Sequence, residues 1–443
     1  MNYYKKYLLA FGAILSLILA FYPGSVFAAV SITTATGGTN ISADKAANAT
    51  SPAYTTLGNI VITENNNNDI SSNGTFTVAP PSGWQFNTTG VTTSVTGGLT
   101  VVVTSQTASL LTLTISNRNN STAQSFTIIG LQVRATNGAS LPSSGNITRA
   151  GGTANVSGIT NGSTNLGSLS QAVGVASKLK VGTQPSSAAT AGVTFLTQPA
   201  INITDQFYNT RSTANGGADN STVVTVARGT GTATLQGTLT ATASNGVSTF
   251  SNLSYQKAET INLNFTSGSL TSTTSNNIIV SAGSINSVTV SPTTTQSVSS
   301  FGTIQFAAQG FDVYNNTLTG LTFNWAVVPG TGTGSIDSSG LFTAGNAGTV
   351  TVTATNGGKT GSSNTITITK IDQSVLTTIV NPSTVSYGST SALSTTGGSG
   401  TGAVTFSAGA STGCSVSSTT LNVTDASGNC SITATKAGDS NYT

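Results

Sequence analysis

The sequence predicts an all-β protein made of several β-sandwiches. Three observations lead to this fold class: short segments alternate apolar and hydroxyl residues, turns rich in Gly, Asn, Ser and Pro bound them, and no long segment repeats with the period of a helix. Such alternation turns one face of a strand inward and leaves the Thr-rich face in solvent. Clear examples are "NIVIT" (59–63), "GTFTVA" (74–79), "LTVVVT" (99–104), "LLTLTIS" (110–116) and "TVTVTAT" (349–355).

The composition excludes several kinds of partner. The chain has 443 residues, of which 6% are charged and none is histidine. Hydroxyl and amide groups therefore keep the surface hydrated, and the chain offers no basic patch to grip nucleic acid. The formal charge of +3 includes Lys5 and Lys6, so it falls by two to +1 once the N-terminal segment is removed.

The N-terminus predicts export. Lys5 and Lys6 precede the apolar run 8–21, and a small-residue cleavage pattern ends at Ala28. This order is typical of a secretory signal peptide, here residues 1–28, and no second apolar stretch follows it. We expect the mature chain to act outside the cytoplasm, at the cell surface or in the medium, without inserting into a membrane.

A five-residue pattern occurs twice. The segment 205–209 reads "DQFYN" and 312–316 reads "DVYNN", each with an acid, an aromatic and an amide at positions one, three and five. Each copy follows an alternating apolar strand. Because a catalytic acid rarely appears once per module whereas a turn does, we interpret both as turns in which Asp and Asn side chains bond to nearby backbone. Calcium or sugar binding is the alternative.

Three similar openings predict the domain limits. Near each of residues 177, 285 and 375, the chain begins a strand, which is followed by a Pro-containing turn and a second strand. Their spacing of roughly 90 to 110 residues suits immunoglobulin-like domains, preceded by a larger N-terminal β-sandwich. The predicted domains are 29–176, the larger sandwich, then 177–283, 284–371 and 372–443.

One stretch resembles a known family. Residues 323–355, "FNWAVVPGTGTGSIDSSGLFTAGNAGTVTVTAT", are similar to the bacterial immunoglobulin-like (Big) repeats of invasin and intimin type surface proteins. These repeats carry a tryptophan strand, a G-L-F-T-A-G turn and a closing G-T-V-T-V-T-A-T strand. The matching residues here are Trp325, Gly340, Leu341, Phe342, Ala344, Gly345 and Gly348.

The resemblance extends beyond this stretch. Residues 177–281 share the pattern Q-P, A-G, D-x-F-x-N but lack the tryptophan. Residues 413–442 resemble another repeat class of bacterial surface proteins. Together these resemblances cover roughly three-fifths of the chain. Related repeats continue into a final strand where this sequence stops, so we expect the chain to be a fragment of a longer protein, with its last domain truncated. The resemblance implies a structural or adhesive role and supplies no catalytic residue.

The two cysteines predict a disulfide. Cys414 and Cys430 each begin an alternating strand, with the turn "TDASGN" between the strands. In an exported chain such a pair forms a disulfide, which contributes about 3 kcal/mol for a loop of this size. A catalytic thiol needs a histidine base and a zinc site needs four ligands, and this sequence supplies neither.

The acidic residues indicate no active site. The 11 carboxylates are scattered, and of these Glu64 and Asp69, in "TENNNNDI", are close in sequence. A glycosidase needs two carboxylates facing one cleft. We interpret this segment as a polar loop, with calcium binding as the alternative because carboxylate and amide oxygens are hard ligands. We predict no enzymatic activity and no cofactor.

Trp84 allows two interpretations. It follows the turn Pro-Pro-Ser-Gly in "APPSGWQFN". It either caps the core of the first sandwich or forms an exposed platform for a sugar, as in carbohydrate-binding modules.

These features together predict an exported, multidomain surface protein that serves as a structural stalk or an adhesin. Its partner would be a surface, matrix or glycan ligand. The alternatives are a glycan-binding module in the N-terminal sandwich, and a set of accessory domains of a larger secreted enzyme.

Overall fold

The computed structural model describes residues 29–119, 121–141 and 143–443, and the predicted signal segment 1–28 lies outside these ranges. The residues in these ranges are mainly extended, with 47% strand and 1% helix, which confirms the all-β fold class with tandem immunoglobulin-like sandwiches. Buried apolar residues of the described ranges form four clusters. We call the units around them the first to the fourth sandwich. The predicted domain limits stay a prediction; Ala176, assigned by sequence to the first domain, packs against the second core.

Alternation builds the first sandwich as the sequence predicts. In the segment Leu111–Ser116 the side chains of Leu111, Leu113 and Ile115 are at most 1% exposed, and the residues between them face outward. Three sheets enclose this core, in the orders β1-β4-β10-β7, β3-β11-β6 and β2-β13-β12-β5-β9-β8. The strands are β1 (Ser31–Thr33), β2 (Ile41–Ser42), β3 (Thr55–Thr56), β4 (Ile60–Thr63), β5 (Gly74–Ala79), β6 (Trp84–Phe86), β7 (Thr92–Thr96), β8 (Thr100–Gln106), β9 (Leu111–Ser116), β10 (Ser125–Ile129), β11 (Gln132–Ala135), β12 (Ser144–Gly151) and β13 (Asn165–Ala172), with a short 3-10 helix at Ala43–Lys45.

The second sandwich packs two sheets over a core that contains the fully buried Tyr255. The sheets have the orders β14-β16-β19 and β15-β22-β20-β17-β18, with β21 paired to β20. The strands are β14 (Lys178–Thr183), β15 (Ala188–Thr190), β16 (Ala200–Thr204), β17 (Val223–Thr230), β18 (Thr240–Thr242), β19 (Val247–Thr249), β20 (Thr260–Thr266), β21 (Thr273–Thr274) and β22 (Ile278–Ser281), with a 3-10 helix at Thr213–Asn215.

The third sandwich has three sheets, with the orders β23-β26-β27, β25-β30-β29 and β24-β33-β31-β28, where β32 pairs with β31. One expectation is wrong here: the G-L-F-T-A-G segment is not a turn throughout, because Leu341–Ala344 forms a strand that buries Phe342 and Ala344. The strands are β23 (Ser287–Ser291), β24 (Gln296–Ser299), β25 (Thr303–Gln305), β26 (Ala307–Phe311), β27 (Thr317–Leu318), β28 (Asn324–Pro329), β29 (Gly334–Ile336), β30 (Leu341–Ala344), β31 (Gly348–Asn356), β32 (Lys359–Ser362) and β33 (Ile366–Thr369).

The fourth sandwich has a small core, in which Leu393, Cys414 and Leu421 are the buried members. Its sheets have the orders β34-β35-β38-β37 and β36-β39. The strands are β34 (Leu376–Asn381), β35 (Thr390–Gly397), β36 (Val404–Ser407), β37 (Cys414–Ser417), β38 (Thr420–Val423) and β39 (Thr433–Lys436). Cys414 and Cys430 are joined by a disulfide, with their Cα atoms 5.5 Å apart.

Candidate functional site

The two copies of the Asp-x-aromatic-x-Asn pattern form the same turn. At Asp205, Oδ1 accepts the backbone N–H groups of Phe207 and Asn209 at 2.9 and 3.0 Å. At Asp312, Oδ1 accepts those of Tyr314 and Asn316 at 2.8 and 2.9 Å. Backbone donors two and four residues ahead thus close a local loop, as the turn interpretation expects.

The fourth residue of each turn has a left-handed backbone. Tyr208 has a φ of 67° and Asn315 a φ of 62°. An Asn adopts this conformation at low cost, whereas a Tyr does so less readily. The Tyr208 ring is in turn covered by the Lys178 ammonium, which lies 4.3 Å from the ring centroid.

The second carboxylate oxygen of each Asp reaches the linker between two sandwiches. The backbone N–H of Gly174, which lies between β13 and β14, donates to Asp205 Oδ2 at 3.0 Å. The N–H of Gly283, between β22 and β23, donates to Asp312 Oδ2 at 2.8 Å. Asp205 is 0% exposed and Asp312 is 1% exposed. A buried carboxylate whose bonds are all satisfied in this way fixes the linker against the following sandwich.

The Asn at position five extends the contact to the preceding sandwich. Asn209 Nδ2 donates to Asp205 Oδ2 and to the carbonyl of Gly138 in the first sandwich, both at 2.8 Å. Asn316 Nδ2 donates to Asp312 Oδ2 at 2.8 Å and to the carbonyl of Gln256 in the second sandwich at 2.7 Å. Each Asn therefore connects its own turn to a loop of the neighbouring unit.

The aromatic ring at position three packs on a glycine of the preceding sandwich. A Cβ placed on Gly138 would lie 2.1 Å from Phe207 Cε2, and one placed on Gly192 would lie 2.2 Å from Tyr314 Cε2. These glycines have no side chain, so the rings approach the backbone closely. We call the two sets of contacts the first junction (Asp205, Phe207, Asn209) and the second junction (Asp312, Tyr314, Asn316).

Additional bonds strengthen the first junction. Gln206 Oε1 accepts the N–H and the hydroxyl of Thr50 at 2.9 and 2.8 Å. Asp44 Oδ1 accepts Gln206 Nε2 at 2.7 Å, while its Oδ2 accepts the N–H of Val175 at 2.7 Å. The carboxylates of Asp44 and Asp205 thus hold consecutive amides of the linker.

The loop that receives Asn316 is anchored at both ends. Tyr255, buried in the second core, donates its hydroxyl to Glu259 Oε1 and accepts the N–H of Ala233 at 2.6 Å. The Tyr255 hydrogen bond and those from Thr232 hold the pKa of Glu259 at about 2. Between these anchors, the N–H of Ala258 donates to Asn316 Oδ1 at 2.8 Å.

The second junction contains a perturbed carboxyl. Burial acts to raise the pKa of Asp312, but hydrogen bonds from the Asn316 side chain and from the backbone amides of Gly283, Asn316 and Tyr314 outweigh it, so the pKa lies below its ordinary value. The ionised form is therefore the one that the folded junction holds.

The third and fourth sandwiches meet differently. The N–H of Ala347 donates to the carbonyl of Ser440 at 3.0 Å, and the N–H of Ile371 donates to that of Asn441 at 2.9 Å. The rings of Phe301 and Tyr442 lie 6.3 Å apart, centroid to centroid. Backbone bonds and one aromatic pair replace the carboxylate here.

The structure buries Trp84. The side chain is 4% exposed in β6 and belongs to the first core, so it has no free ring face on the surface of this unit. The Pro-Pro-Ser-Gly turn brings the chain back into the sheet, where the strand alternates inward at Trp84 and Phe86. This position agrees with the core-capping interpretation and not with an exposed sugar platform.

The segment 65–68 is an exposed polar loop, as the sequence predicts, but the carboxylates of Glu64 and Asp69 at its two ends turn inward. Glu64 is 4% exposed and Asp69 is 0% exposed. Glu64 accepts the N–H groups of Ile70 and Gln124 at 2.8 and 2.9 Å, and Asp69 Oδ2 accepts those of Asn65 and Asn66. The buried backbone N–H groups of Ile70 and Gln124 need an acceptor, and Glu64 supplies it. Within the described ranges, no three acidic or cysteine side chains gather into a metal-binding group.

Sequence reasoning identified the repeated turns but missed their contacts across the junctions. A signal was present, because a linker glycine precedes the Asp by 31 residues in one case and by 29 in the other. The Tyr255 and Glu259 pair was also missed, since neither residue belongs to a repeated pattern.

Comparisons with known proteins add similarities of overall fold. No protein-family model and no curated protein matches the chain. Among solved structures, FdeC, an Escherichia coli adhesin, is 14% identical over 77% of this chain and 98% of its own, with a TM-score of 0.30. An intimin fragment bound to the intimin-binding domain of the translocated intimin receptor is 14% identical over 47% of this chain and 67% of its own, with a TM-score of 0.20.

The surface layer protein SbsC, domains 1–6, is 13% identical over 95% of this chain, with a TM-score of 0.21, and this chain spans 54% of its length. At these values we draw no function from the similarity. In the part of the chain that the structure describes, there is no helix with the length and apolar character that crossing a membrane requires.

Proposed function

We propose that this protein is an exported surface spacer, a stalk of bacterial immunoglobulin-like repeats that holds a binding region at a set distance and direction. The observation that carries the proposal is the use of one five-residue turn at two successive junctions. A flexible linker would not need the same contacts at each junction, whereas a spacer that keeps its direction needs each unit fixed to the next.

The chemistry of the junctions suits this role. Each relies on buried hydrogen bonds of a carboxylate and an amide with backbone groups, and these bonds are weakly screened by salt. The described surface carries few charges, with ion pairs at Arg211–Asp219 and Lys257–Glu259, both at 3.6 Å. Such a surface supports a passive spacer that does not attract charged molecules indiscriminately.

Small-angle X-ray scattering of the secreted chain tests the proposal. We expect an elongated particle with a well-defined maximum dimension. The double variant Asp205→Ala and Asp312→Ala should broaden the distance distribution, because the linker amides lose their acceptor.

Asp337→Ala is the matched control. Asp337 Oδ1 accepts the N–H groups of Ser339 and Leu341 at 2.8 and 3.0 Å, so it closes the same local turn, but inside the third sandwich. Its replacement should leave the scattering curve unchanged. A compact wild-type particle, or equal broadening in the control, would count against the spacer.

A further inference from the structure

Six Asn-Gly dipeptides occur in the chain, and such a dipeptide can modify itself. The glycine nitrogen attacks the Cγ atom of the preceding Asn, because glycine has no side chain to hinder a close approach. A bond forms between this nitrogen and Cγ, the Cγ–Nδ2 bond breaks, and the displaced amide leaves as ammonia together with the proton of the glycine N–H. Water then opens the succinimide ring to give an aspartyl or isoaspartyl residue. The dipeptides begin at Asn73, Asn137, Asn161, Asn215, Asn245 and Asn356.

One of these dipeptides, Asn137–Gly138, lies at the first junction. The Gly138 carbonyl accepts Asn209 Nδ2 at 2.8 Å, and the Phe207 ring packs against the same glycine. Opening the succinimide on its main-chain side gives isoaspartate, in which the main chain runs through Cβ and is longer by a single carbon. Because the added carbon would come directly before Gly138, it would move this glycine away from both contacts.

Asn48 binds both reacting groups of this dipeptide. The Gly138 N–H donates to Asn48 Oδ1 at 2.9 Å, and Asn48 Nδ2 donates to Asn137 Oδ1 at 2.9 Å. Asn137 Oδ1 also accepts the N–H of Ala139 at 2.9 Å. Since a backbone N–H can only donate, these contacts determine which amide atom is the oxygen in both Asn side chains. We call the bonds of Asn48 to Asn137 and Gly138 the Asn48 clamp.

The Asn48 clamp opposes the reaction because the attacking nitrogen must lose its proton. An amide oxygen is a very weak base, so Asn48 Oδ1 accepts the hydrogen bond but leaves the proton on Gly138. Gly138 is buried, whereas Asn137 is exposed. The clamp therefore also closes the buried N–H to the water that would take its proton.

The other dipeptides do not depend on a side chain in this way. Three of their glycines donate the N–H to a main-chain carbonyl, which a side-chain substitution does not remove; these are Gly162, Gly216 and Gly246. Gly357 is exposed in the tight turn between β31 and β32, and its N–H has no acceptor among the residues that the structure describes. Asn356–Gly357 is thus an unprotected dipeptide with which Asn137–Gly138 can be compared in the same molecule.

We infer that Asn137–Gly138 is a latent site of self-modification and that Asn48 is the residue that protects it. While the Asn48 clamp is in place, the dipeptide stays intact. Once the clamp opens, the atoms of the chain and water are sufficient to convert Asn137 and to loosen the first junction. The inference rests on the contacts of this junction and does not depend on the spacer role.

Peptide mapping by mass spectrometry of the full exported chain, kept folded in a mildly alkaline buffer, tests the inference. The mapping gives the rate at each Asn-Gly dipeptide, and electron-transfer fragmentation identifies isoaspartate. In the wild type we expect Asn356 to react readily and Asn137 much more slowly, and the two rates to become similar in urea, where no clamp forms. Asn48→Ala should raise the rate at Asn137 by about tenfold or more, because two hydrogen bonds are lost, and should leave Asn356 unchanged.

Two further variants separate the Asn48 clamp from its surroundings. Asn209→Ala removes the bond from the second sandwich to the Gly138 carbonyl but leaves the clamp in place, so Asn137 should stay protected. Asn146→Ala removes an exposed acceptor of a serine hydroxyl elsewhere in the first sandwich, and should change no rate.

An internal reporter shows whether the first sandwich remains folded. Asn161 belongs to the same sandwich, and the N–H of Gly162 donates to the main-chain carbonyl of Arg149 at 2.9 Å. Asn161 should therefore react slowly in the wild type and in every variant.

Three results would overturn the inference: equal rates at Asn137 and Asn356 in the folded wild type, a rate at Asn137 that Asn48→Ala does not raise, or an equal rise in Asn209→Ala. A rise at Asn161 together with Asn137 would also overturn it, since Asn48 would then hold the whole sandwich and not this dipeptide.

Discussion

The backbone N–H of Gly283 donates to the Oδ2 atom of Asp312 at 2.8 Å, and so joins a linker to the sandwich that follows it. The same bond, at 3.0 Å, joins Gly174 to Asp205 one unit earlier. At both junctions the Asp that closes a local turn also binds the linker, so the turn connects two sandwiches.

Acid should loosen the second junction. Because the folded junction lowers the pKa of Asp312 below its ordinary value, ionised Asp312 contributes stability above pH ~4 that is lost as the pH falls through the folded pKa. Distance measurements between spin labels on the second and third sandwiches should therefore broaden below about pH 4. Asp312→Asn should show the broad distribution already at pH 7, and an unchanged distribution from pH 7 to 2 would contradict the prediction.

A single methyl group should open the first junction. Gly138→Ala places a Cβ 2.1 Å from the Phe207 ring, so the ring must move away from the first sandwich. We expect a wider scattering envelope with unchanged thermal unfolding of the cores.

The matched control for that change is Gly283→Ala in the second junction. Its Cβ would lie 3.6 Å from the nearest atom, at ordinary van der Waals distance. This variant should scatter as the wild type does. If both variants behave alike, close packing of the ring on Gly138 is not what fixes the junction.

Glu259 should support the second junction from inside its own sandwich. Since hydrogen bonds from Tyr255 and Thr232 hold its pKa at about 2, its contribution is full above the unfolded value and declines as the pH falls toward 2. Urea unfolding of the Glu259→Gln variant should show a lower midpoint than wild type at pH 7 and a smaller difference at pH 3. A difference that grows on acidification would show that another group is responsible.

Trp84 should behave as a core residue. Trp84→Ala removes a buried aromatic ring and should destabilise the first sandwich by about 3 to 5 kcal/mol. Trp84→Phe should cost much less, because the Trp84 Nε1 group has no hydrogen-bond partner among the described residues. Denaturant unfolding followed by circular dichroism measures both changes. Wild-type stability of the alanine variant, with loss of glycan binding, would instead restore the sugar-platform interpretation.

The disulfide should matter most where the core is smallest. Replacing both Cys414 and Cys430 by serine removes the constraint on a 16-residue separation, and should lower the free energy of unfolding of the fourth sandwich by about 3 kcal/mol. Hydrogen exchange by segment should show the loss at residues 372–443 and not in the third sandwich. Uniform loss along the chain would contradict this localisation.

The amino-acid sequence alone was enough to predict the class of fold and strands such as β4, β5, β8, β9 and β31. Apolar residues recur every second position in segments such as 110–116. Because this period matches the geometry of a strand, it predicts the strand conformation whichever sheet the segment joins. It also placed Asp205 and Asp312 in turns, because an Asp that bonds to backbone two and four residues ahead acts locally.

What those turns and the buried groups near them contact depends on how distant segments of the chain pack together. Gly138 and Gly174 lie far from Asp205 in the chain. No local pattern predicts that Phe207 packs on Gly138 or that the Asp205 carboxylate accepts the N–H of Gly174. The burial of Trp84 and Glu64 likewise follows from which sheet faces close over them. Pairing between strands that are distant in the chain determines which sheet faces meet. The assembly of the sandwiches therefore determines the partners of every side chain that reaches beyond its own strand.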